Sequence, residues 1–292
     1  MLNEREFHWM WGLEDYFEAN DSTHKELYSQ LVRAVLLGDQ WAVRDMVLRE
    51  VQRGWKPESE NFVNLILNNL LTELPSHTNR DVLQYISHSF EDDFIKRISA
   101  WSIKWGERTN VNDHFSRGQM ISKLWMVGVM DMLGLQPKDV VMYGGWYATV
   151  AFFIFNNYPD VQFTNLEIDR EVLDVANDFN YPQYKNGQFK SHVKDVNSIV
   201  WKGDGFQVGR DLIAPDLIIN TSCEHMTDEW FYNIPDGKTI ILQTNDYFSN
   251  EQHINCVKDL DAAVEKYKFS ELLYKGTRDT VLYNRFMLIG RK

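Results

Sequence analysis

The sequence predicts an α/β fold in which a mostly parallel sheet follows an N-terminal, all-helical domain. Up to about residue 110 the apolar residues recur at helical spacing. Beyond that point, short apolar runs alternate with helical stretches, and a pair of glycines follows the first of these runs. We therefore expect a helical accessory or cap domain over residues 1–110 and a ligand-binding domain over residues 111–292.

The first 110 residues contain helical segments and no strand-like run. The predicted helices are 25–37, 40–52, 61–74, 79–88 and 92–105. Glycine or proline follows several of them, as at Gly38, Gly54 and Pro75. An aromatic-rich N-terminus would suit docking to a larger assembly, although packing into a core is the commoner use of such residues: Phe7, His8, Trp9, Trp11, Tyr16 and Phe17.

The remainder of the chain reads as a repeated alternation of strand and helix. A helix is predicted over 117–133, closed by Gly134. The strands that follow are 140–143, 161–168, 189–193, 217–220, 239–243, 270–274 and 285–290. In parallel sheets of this kind, ligands bind outside the carboxyl ends of the strands. Residues at these ends are therefore the candidates for the functional site.

Composition excludes several functional classes. The chain of 292 residues has a formal net charge of -12, with an excess of acids in both halves, so extended contact with nucleic acid is disfavoured. No apolar run is long enough to span a bilayer, and the N-terminus shows no secretion signal. Two cysteines form no disulfide framework. We expect a cytoplasmic protein with no membrane partner.

The turn after the first strand has features of a nucleotide-binding loop. Gly144 and Gly145 end the strand and precede an apolar helix. Glu167 lies about 20 residues further on, at the tip of the second strand, where an acid typically holds a ribose diol. Its two oxygens match two hydroxyl donors. The alternative is that Glu167 and Asp169 simply solvate the end of the strand.

The third and fourth strands end in further candidate binding groups. Asp195 could accept a hydrogen bond from an adenine amino group while the Val196 amide serves a ring nitrogen. The fourth strand, apolar throughout, turns abruptly polar from Asn220 to His225. This change is typical of the floor of a site.

Several phrases of the sequence carry a family resemblance. The phrases are Asn-Thr-Ser-Cys-Glu-His-Met at 220–226, Leu-Gln-Thr-Asn-Asp-Tyr-Phe at 242–248, His-Ile-Asn-Cys at 253–256 and Tyr-Asn-Arg-Phe-Met-Leu-Ile-Gly at 283–290. With the glycine turn, Glu167 and Asp195, they resemble class I S-adenosylmethionine (SAM) dependent methyltransferases over residues 116–292. The phrases themselves look like those of a group of methyltransferases encoded by tailed bacteriophages, which would place the protein in the host cytoplasm.

The resemblance implies a fold, a cofactor and a set of binding residues. The fold is a Rossmann-like sheet of seven strands, mostly parallel, with an antiparallel C-terminal strand. The cofactor is SAM. The cofactor-binding residues that it implies are Tyr143, Gly144, Gly145, Trp146, Glu167, Ile168, Asp195, Val196 and Asn220.

The sequence departs from the family pattern at the first motif. Met142 stands where an acid usually precedes the first glycine, and Trp146 and Ala148 replace later glycines. Met142 cannot accept a hydrogen bond from the ammonium group of SAM. The methionine tail must then be held by the Tyr143 or Gly144 carbonyl, or by residues of the preceding helix. Those residues are Ser116, Arg117 and Gln119. Arg117 suits a carboxylate through its bidentate guanidinium; the alternative is that it is a solvated residue at the N-terminus of the helix.

Methyl transfer needs an aligned nucleophile more than it needs extensive acid–base chemistry. The candidates for alignment and proton removal follow the fourth and fifth strands, and histidine is the usual base near neutral pH. The predicted catalytic residues are Asn220, Glu224, His225, Asp246 and Tyr247.

A metal site and a covalent nucleophile are weaker readings of the same segments. Cys223, Glu224, His225, His253 and Cys256 lack the spacing of a zinc site, so no metal is predicted. Cys256 is expected on a helix whose apolar face is Ile254, Val257, Leu260 and Ala263. Cys223 as a nucleophile, with His225 as its base, stays an alternative.

Three functions remain open at this point. The first is SAM-dependent methyl transfer to a small molecule or a protein side chain. The second is another SAM-consuming transfer, such as that of the aminocarboxypropyl group, because fold alone does not choose the reaction. The third is a non-catalytic module of this fold that docks a phage assembly through its helical domain.

Overall fold

The computed structural model describes residues 93–105, 114, 117–280 and 282–292. The chain divides into two compact units, Met1–Ile121 and Ser122–Lys292. Four of the five predicted N-terminal helices and the aromatic N-terminus lie outside the described residues. The predicted division at residue 110 therefore stays a prediction.

Seven α-helices lie in the described part of the chain. They are α1 (Asp93–Trp105), α2 (Arg117–Met132), α3 (Val150–Asn157), α4 (Leu173–Phe179), α5 (Tyr181–Asn186), α6 (Glu229–Asn233) and α7 (Leu260–Lys266). Two short 3-10 turns, Val196–Ser198 and Cys223–His225, follow strands. None of the helices described combines the length and the apolar character that crossing a bilayer requires.

The strands form one large and one small sheet. They are β1 (Asp139–Tyr143), β2 (Gln162–Glu167), β3 (Phe189–Val193), β4 (Trp201–Lys202), β5 (Gly205–Val208), β6 (Asp211–Ile213), β7 (Leu217–Asn220), β8 (Thr239–Asn245), β9 (Glu271–Asp279) and β10 (Asn284–Arg291). The large sheet has seven strands in the order β3-β2-β1-β7-β8-β10-β9, and the small one has the order β4-β5-β6.

The large sheet confirms the predicted seven-stranded architecture. Strands β3, β2, β1, β7 and β8 pair in parallel, whereas β10 is antiparallel to both of its neighbours. The chain leaves β1 toward β2 and β3 on one side and returns to place β7 on the other. This reversal puts the switch in strand order between β1 and β7, where ligands bind in open sheets.

Each face of the sheet packs on its own apolar cluster. Val140 and Met142 point to one cluster, and Val141 and Tyr143 point to the other, because successive strand residues face opposite ways. Helix α3 covers the first face through residues such as Ile154, while α6 and α7 cover the second. Burial of both faces explains why the central strands are almost wholly apolar in sequence.

The secondary structure differs from the expectations in two places. The small sheet β4-β5-β6 was not predicted. Cys256 was expected on a helix, but α7 begins only at Leu260. The preceding segment is fixed as a loop instead, because the Ile254 and Asn255 amides donate to the Glu224 carbonyl and the Val257 amide donates to the Asn245 carbonyl. The Asp259 side chain then caps α7.

Candidate functional site

The turn between β1 and α3 has an unusual backbone. Gly144, Trp146 and Ala148 all adopt positive φ, at 61°, 49° and 50°. The left-handed region costs a residue with a Cβ of order 1–3 kcal/mol, and such strain concentrates at functional sites. Trp146 and Ala148 thus adopt a backbone conformation that glycine adopts more readily.

Glu167 holds this turn against the end of β2. One carboxylate oxygen accepts from the Trp146 amide at 2.8 Å, and the other accepts from the amides of Ile168 and Asp169 at 2.8 and 3.2 Å. The residue is only 8% exposed. A carboxylate offers about four acceptor positions, so these bonds leave room for one ribose hydroxyl and not for two. The structure therefore adds a loop-fixing role to the predicted ribose contact.

Gly145 allows a second polar residue to brace the turn. A Cβ at this position would collide with the Asn165 side chain and press on that of Met142. Asn165 is fully buried and donates its amide to the Trp146 carbonyl at 3.3 Å. The glycine is needed for close approach, and Met142 serves as packing beneath the turn.

The ends of β2 and β3 present the predicted adenine-side residues. Ile168, directly after β2, is 68% exposed. Asp195 is exposed, and one of its oxygens accepts from the Asn197 amide at 3.0 Å. Its other oxygen has no hydrogen-bond partner among the described residues. Val196 is buried behind it.

Beyond β7, residues 220–226 form a polar turn that touches the glycine turn. The Ser222 hydroxyl donates to the Gly144 carbonyl at 3.0 Å. The terminal methyl of Met226 lies 2.8 Å from where a Gly144 Cβ would stand. Asn220 is fully buried, accepting from the Ser222 amide and contacting the Met226 sulfur. Asn220 thus shapes this turn.

Glu224 forms a buried ion pair with Arg285. The Arg285 guanidinium lies 2.6 Å from Glu224 Oε1, and the two side chains are 3% and 2% exposed. The same oxygen accepts a hydrogen bond from the side-chain amide of Asn245 at 2.7 Å. Glu224 Oε2 is buried and has no hydrogen-bond partner within the described residues. Residues from β8 and β10 therefore meet at this carboxylate, and one of its oxygens remains available.

Two histidines lie next to this carboxylate. The rings of His225 and His253 meet edge to face with centroids 4.6 Å apart. One donor atom from each histidine and one from Glu224 lie within 4.8 Å of one another. Burial lowers the pKa of His253, while the nearby Glu224 opposes that shift. A neutral imidazole therefore prevails at neutral pH and can accept a proton.

The other predicted catalytic residues have different surroundings. Both Asp246 oxygens accept from Asn284, one from its amide at 2.7 Å and one from its side chain at 2.8 Å. This clamp joins the end of β8 to the start of β10, and the catalytic role of Asp246 stays a prediction. Tyr247 stacks on Tyr283 at 5.4 Å and meets His253 edge to face at 5.7 Å. Tyr247 is therefore part of the aromatic wall around the histidines.

Two further expectations concern Cys223 as a nucleophile and Ser116 and Arg117 as holders of the methionine tail. Cys223 is fully buried, and burial raises the pKa of its thiol, so the reactive thiolate is suppressed. This environment argues against a covalent cysteine. The Arg117 backbone lies in α2, but its side chain and all of Ser116 lie outside what the structure describes.

Sequence reasoning missed part of the site. Arg285, Asn245 and Ser222 were not singled out, and His253 was weighed only as a metal ligand. An arginine inside the apolar run of the last strand was the one available signal, because a buried charge requires a partner. Tyr143 was named for its carbonyl, and its ring lies in the core against Trp230.

Comparison with known proteins gives structural neighbours alone. No protein-family model and no curated protein matches the chain. The [4+2]-cyclase SpnF is 11% identical with a TM-score of 0.45, over 60% of this chain and 82% of that chain. The N-methyltransferase NodS from Bradyrhizobium japonicum, in complex with S-adenosyl-L-homocysteine (SAH), is 8% identical at 0.43, over 60% and 87%. Human N-acetylserotonin methyltransferase, in complex with SAM, is 12% identical at 0.41, over 96% and 70%.

Most of the similar structures are methyltransferases, although SpnF is a cyclase. Identities and scores this low do not transfer an activity. The case for a function therefore rests on the residues at the switch between β1 and β7, and the resemblance to the bacteriophage group stays a prediction.

Proposed function

We propose that the protein is a SAM-dependent methyltransferase whose acceptor binds beside His225 and His253. The observation that carries the proposal is the turn at 220–226. Its Ser222 and Met226 contact Gly144 of the glycine turn, while its His225 meets His253. A cofactor cleft and a pair of imidazoles thus share one wall, at the switch point of the sheet.

The residues of the cleft fit an adenosine-containing cofactor. Glu167 would take one ribose hydroxyl with its remaining acceptor position. Ile168 would pack on the adenine, and Asp195 and the Val196 amide would meet its edge. The fit differs from the family pattern at the methionine end, because Met142 is packing and offers no acceptor. There the Gly144 carbonyl and the Met226 side chain line the wall.

The chemistry divides between the cofactor and the protein. SAM, when bound, supplies an electrophilic methyl group on its sulfonium. The protein has to orient the acceptor and take its proton, and the imidazoles of His225 and His253 are suited to both. Glu224, held by Arg285 and Asn245, places a negative charge beside them that stabilises the imidazolium formed.

The surroundings favour an amine or a hydroxyl group as the acceptor, on a small molecule or a protein side chain. Tyr247, Tyr283 and His253 provide aromatic surface at this end of the cleft. A net charge of -12 disfavours a phosphate-rich acceptor such as nucleic acid. Docking to a larger assembly through the N-terminal domain and a cytoplasmic location remain part of the proposal.

Product analysis tests the reaction directly. The full chain is incubated with SAM labelled in the methyl group and a panel of amines, phenols and peptides. We expect a mass increase of one methyl group on an acceptor, with release of SAH. Addition of an aminocarboxypropyl group instead would show that the protein catalyses the alternative reaction and not methyl transfer. SAM binding without any turnover would favour the docking function.

Glu167→Ala should weaken SAM binding by ~1.5–3 kcal/mol, because a charge-assisted hydrogen bond to the ribose is lost. The turn held through the Trp146 amide also loosens, which adds to the effect. Calorimetric titration measures the affinity, and circular dichroism confirms that the variant folds. Glu171→Ala, at an exposed position nearby, is the matched control and should bind normally. A folded Glu167→Ala variant of unchanged affinity would mean that the ribose lies elsewhere.

Asp195→Ala should weaken SAM binding less, by roughly 1 kcal/mol, because the Val196 amide and the packing of the adenine remain. Asp195→Asn keeps an acceptor for the Asn197 amide and serves as the control for the local turn. The same titration applies. A loss larger than that of Glu167→Ala would show that the adenine edge, and not the ribose, dominates recognition.

A further inference from the structure

The buried carboxylate and the two histidines have the features of a metal-binding site that the sequence spacing did not reveal. One donor atom each from Glu224, His225 and His253 lies within 4.8 Å of the other two. Ligands around a tetrahedral Zn²⁺ with bonds of about 2.0–2.1 Å stand roughly 3.3 Å apart. Small side-chain rotations would therefore bring the three donors to bonding distance.

The histidine rings are already oriented as metal ligands usually are. His225 Nδ1 lies 3.2 Å from the Gln252 carbonyl, and His253 Nδ1 lies 3.0 Å from the Tyr247 carbonyl. A carbonyl can only accept, so each Nδ1 carries the proton and each Nε2 keeps its lone pair. Donation of one ring N–H to a backbone carbonyl, with the other nitrogen left for the ion, is the usual arrangement around ligating histidines.

The carboxylate supplies the second and independent observation. Glu224 is 2% exposed, and its Oε1 is fixed by Asn245 and Arg285. Its Oε2 has no hydrogen-bond partner among the described residues. Burial of an oxygen without a partner destabilises the fold, and that cost disappears if the oxygen coordinates a cation. Hydrogen bonds to the other oxygen are what orient a ligating carboxylate.

Two contacts oppose binding and limit its strength. The Asn250 side-chain amide lies 3.2 Å from His253 Nε2 and occupies that lone pair, so it has to swing away. Arg285 places a positive charge beside Glu224. The first contact also provides a control, because removal of the Asn250 side chain should not weaken an ion at this position.

We propose that Glu224, His225 and His253 bind one divalent transition-metal ion, with Zn²⁺ as the representative. Two imidazoles and one carboxylate suit this class of ion and leave coordination positions open, as in catalytic sites. Existence of the site does not depend on the proposed function. Its use does, since an ion bound by both Nε2 atoms would take the place of proton acceptance by the histidines and would hold an acceptor oxygen instead.

The test titrates Zn²⁺ into the full chain after treatment with a chelator, without SAM, and repeats the titration with Co²⁺ while recording the visible spectrum. We expect one ion per chain and a Co²⁺ spectrum of nitrogen and oxygen ligands. His225→Ala and His253→Ala should each lose about 100-fold or more in affinity, beyond the 10–100-fold typical of outer contacts. Asn250→Ala should bind as tightly as the wild type or more tightly.

His192→Ala is the matched control, because His192 is half-buried and pairs with Asp211 away from this cluster. It should bind the ion normally. His225 is exposed, so His225→Ala is expected to fold even if a change at Glu224 does not. The proposal is overturned if the wild type binds no Zn²⁺ at millimolar concentration, or if the His225→Ala and His192→Ala variants bind with the same affinity.

Discussion

Replacement of His253 by alanine should lower the rate of methyl transfer by about 100-fold or more and leave the SAM dissociation constant nearly unchanged. The imidazole acts on the acceptor in the transition state and does not hold the cofactor. Burial keeps the pKa of His253 low, so its neutral form persists to lower pH than that of an exposed histidine. The expectation is the same whether the ring takes the proton itself or holds an ion.

The measurement pairs turnover with SAM affinity for each variant. His225→Ala should change turnover in the same direction, and His192→Ala should change neither quantity. Equal losses of turnover and of SAM affinity would mean that His253 holds the cofactor. Unchanged values of both would move the acceptor site elsewhere in the fold.

Replacement of Arg285 by methionine should lower the free energy of unfolding by about 3–5 kcal/mol, because it leaves the Glu224 charge buried without its partner. Chemical denaturation measures the change. The double variant Arg285→Met with Glu224→Met should recover most of the loss, since an apolar pair of similar size needs no counter-charge.

An exposed ion pair provides the matched control for this experiment. Lys190 and Asp211 lie 3.0 Å apart with side chains 50% and 38% exposed. Lys190→Met should therefore destabilise the protein far less than Arg285→Met does. If Arg285→Met proves as mild as this control, then the Glu224–Arg285 pair does not hold β10 to the turn that follows β7.

The strands of the large sheet could be predicted from sequence because each is short, apolar and bounded by turn residues. The β1 and β7 assignments differ from the structure by one residue or less. The small sheet was missed because its strands have only two to four residues and no sustained alternation. The prediction of a helix around Cys256 was wrong, because long-range hydrogen bonds to Glu224 and Asn245 hold that segment as a loop.

The sequence predicts those parts of the candidate site that follow from spacing along the chain. Glu167 and the glycine turn follow from spacing, since both lie at the ends of neighbouring strands. The polar network around Glu224 could not be predicted in this way, because its members are distant in sequence. Arg285 lies 61 residues and Asn245 lies 21 residues from Glu224 along the chain. Their meeting depends on the antiparallel pairing of β10 with β8, which no local pattern encodes. The clustering of His253 with His225 likewise depends on the loop that Glu224 fixes.

Calorimetric titration of the full chain with SAM and with SAH is the most direct test of the account. We predict saturable binding of one molecule per chain for both, and weaker binding of both by Glu167→Ala. A folded protein that shows no binding of either compound up to about 1 mM would contradict the assignment of the cleft between β1 and β7 as a SAM site.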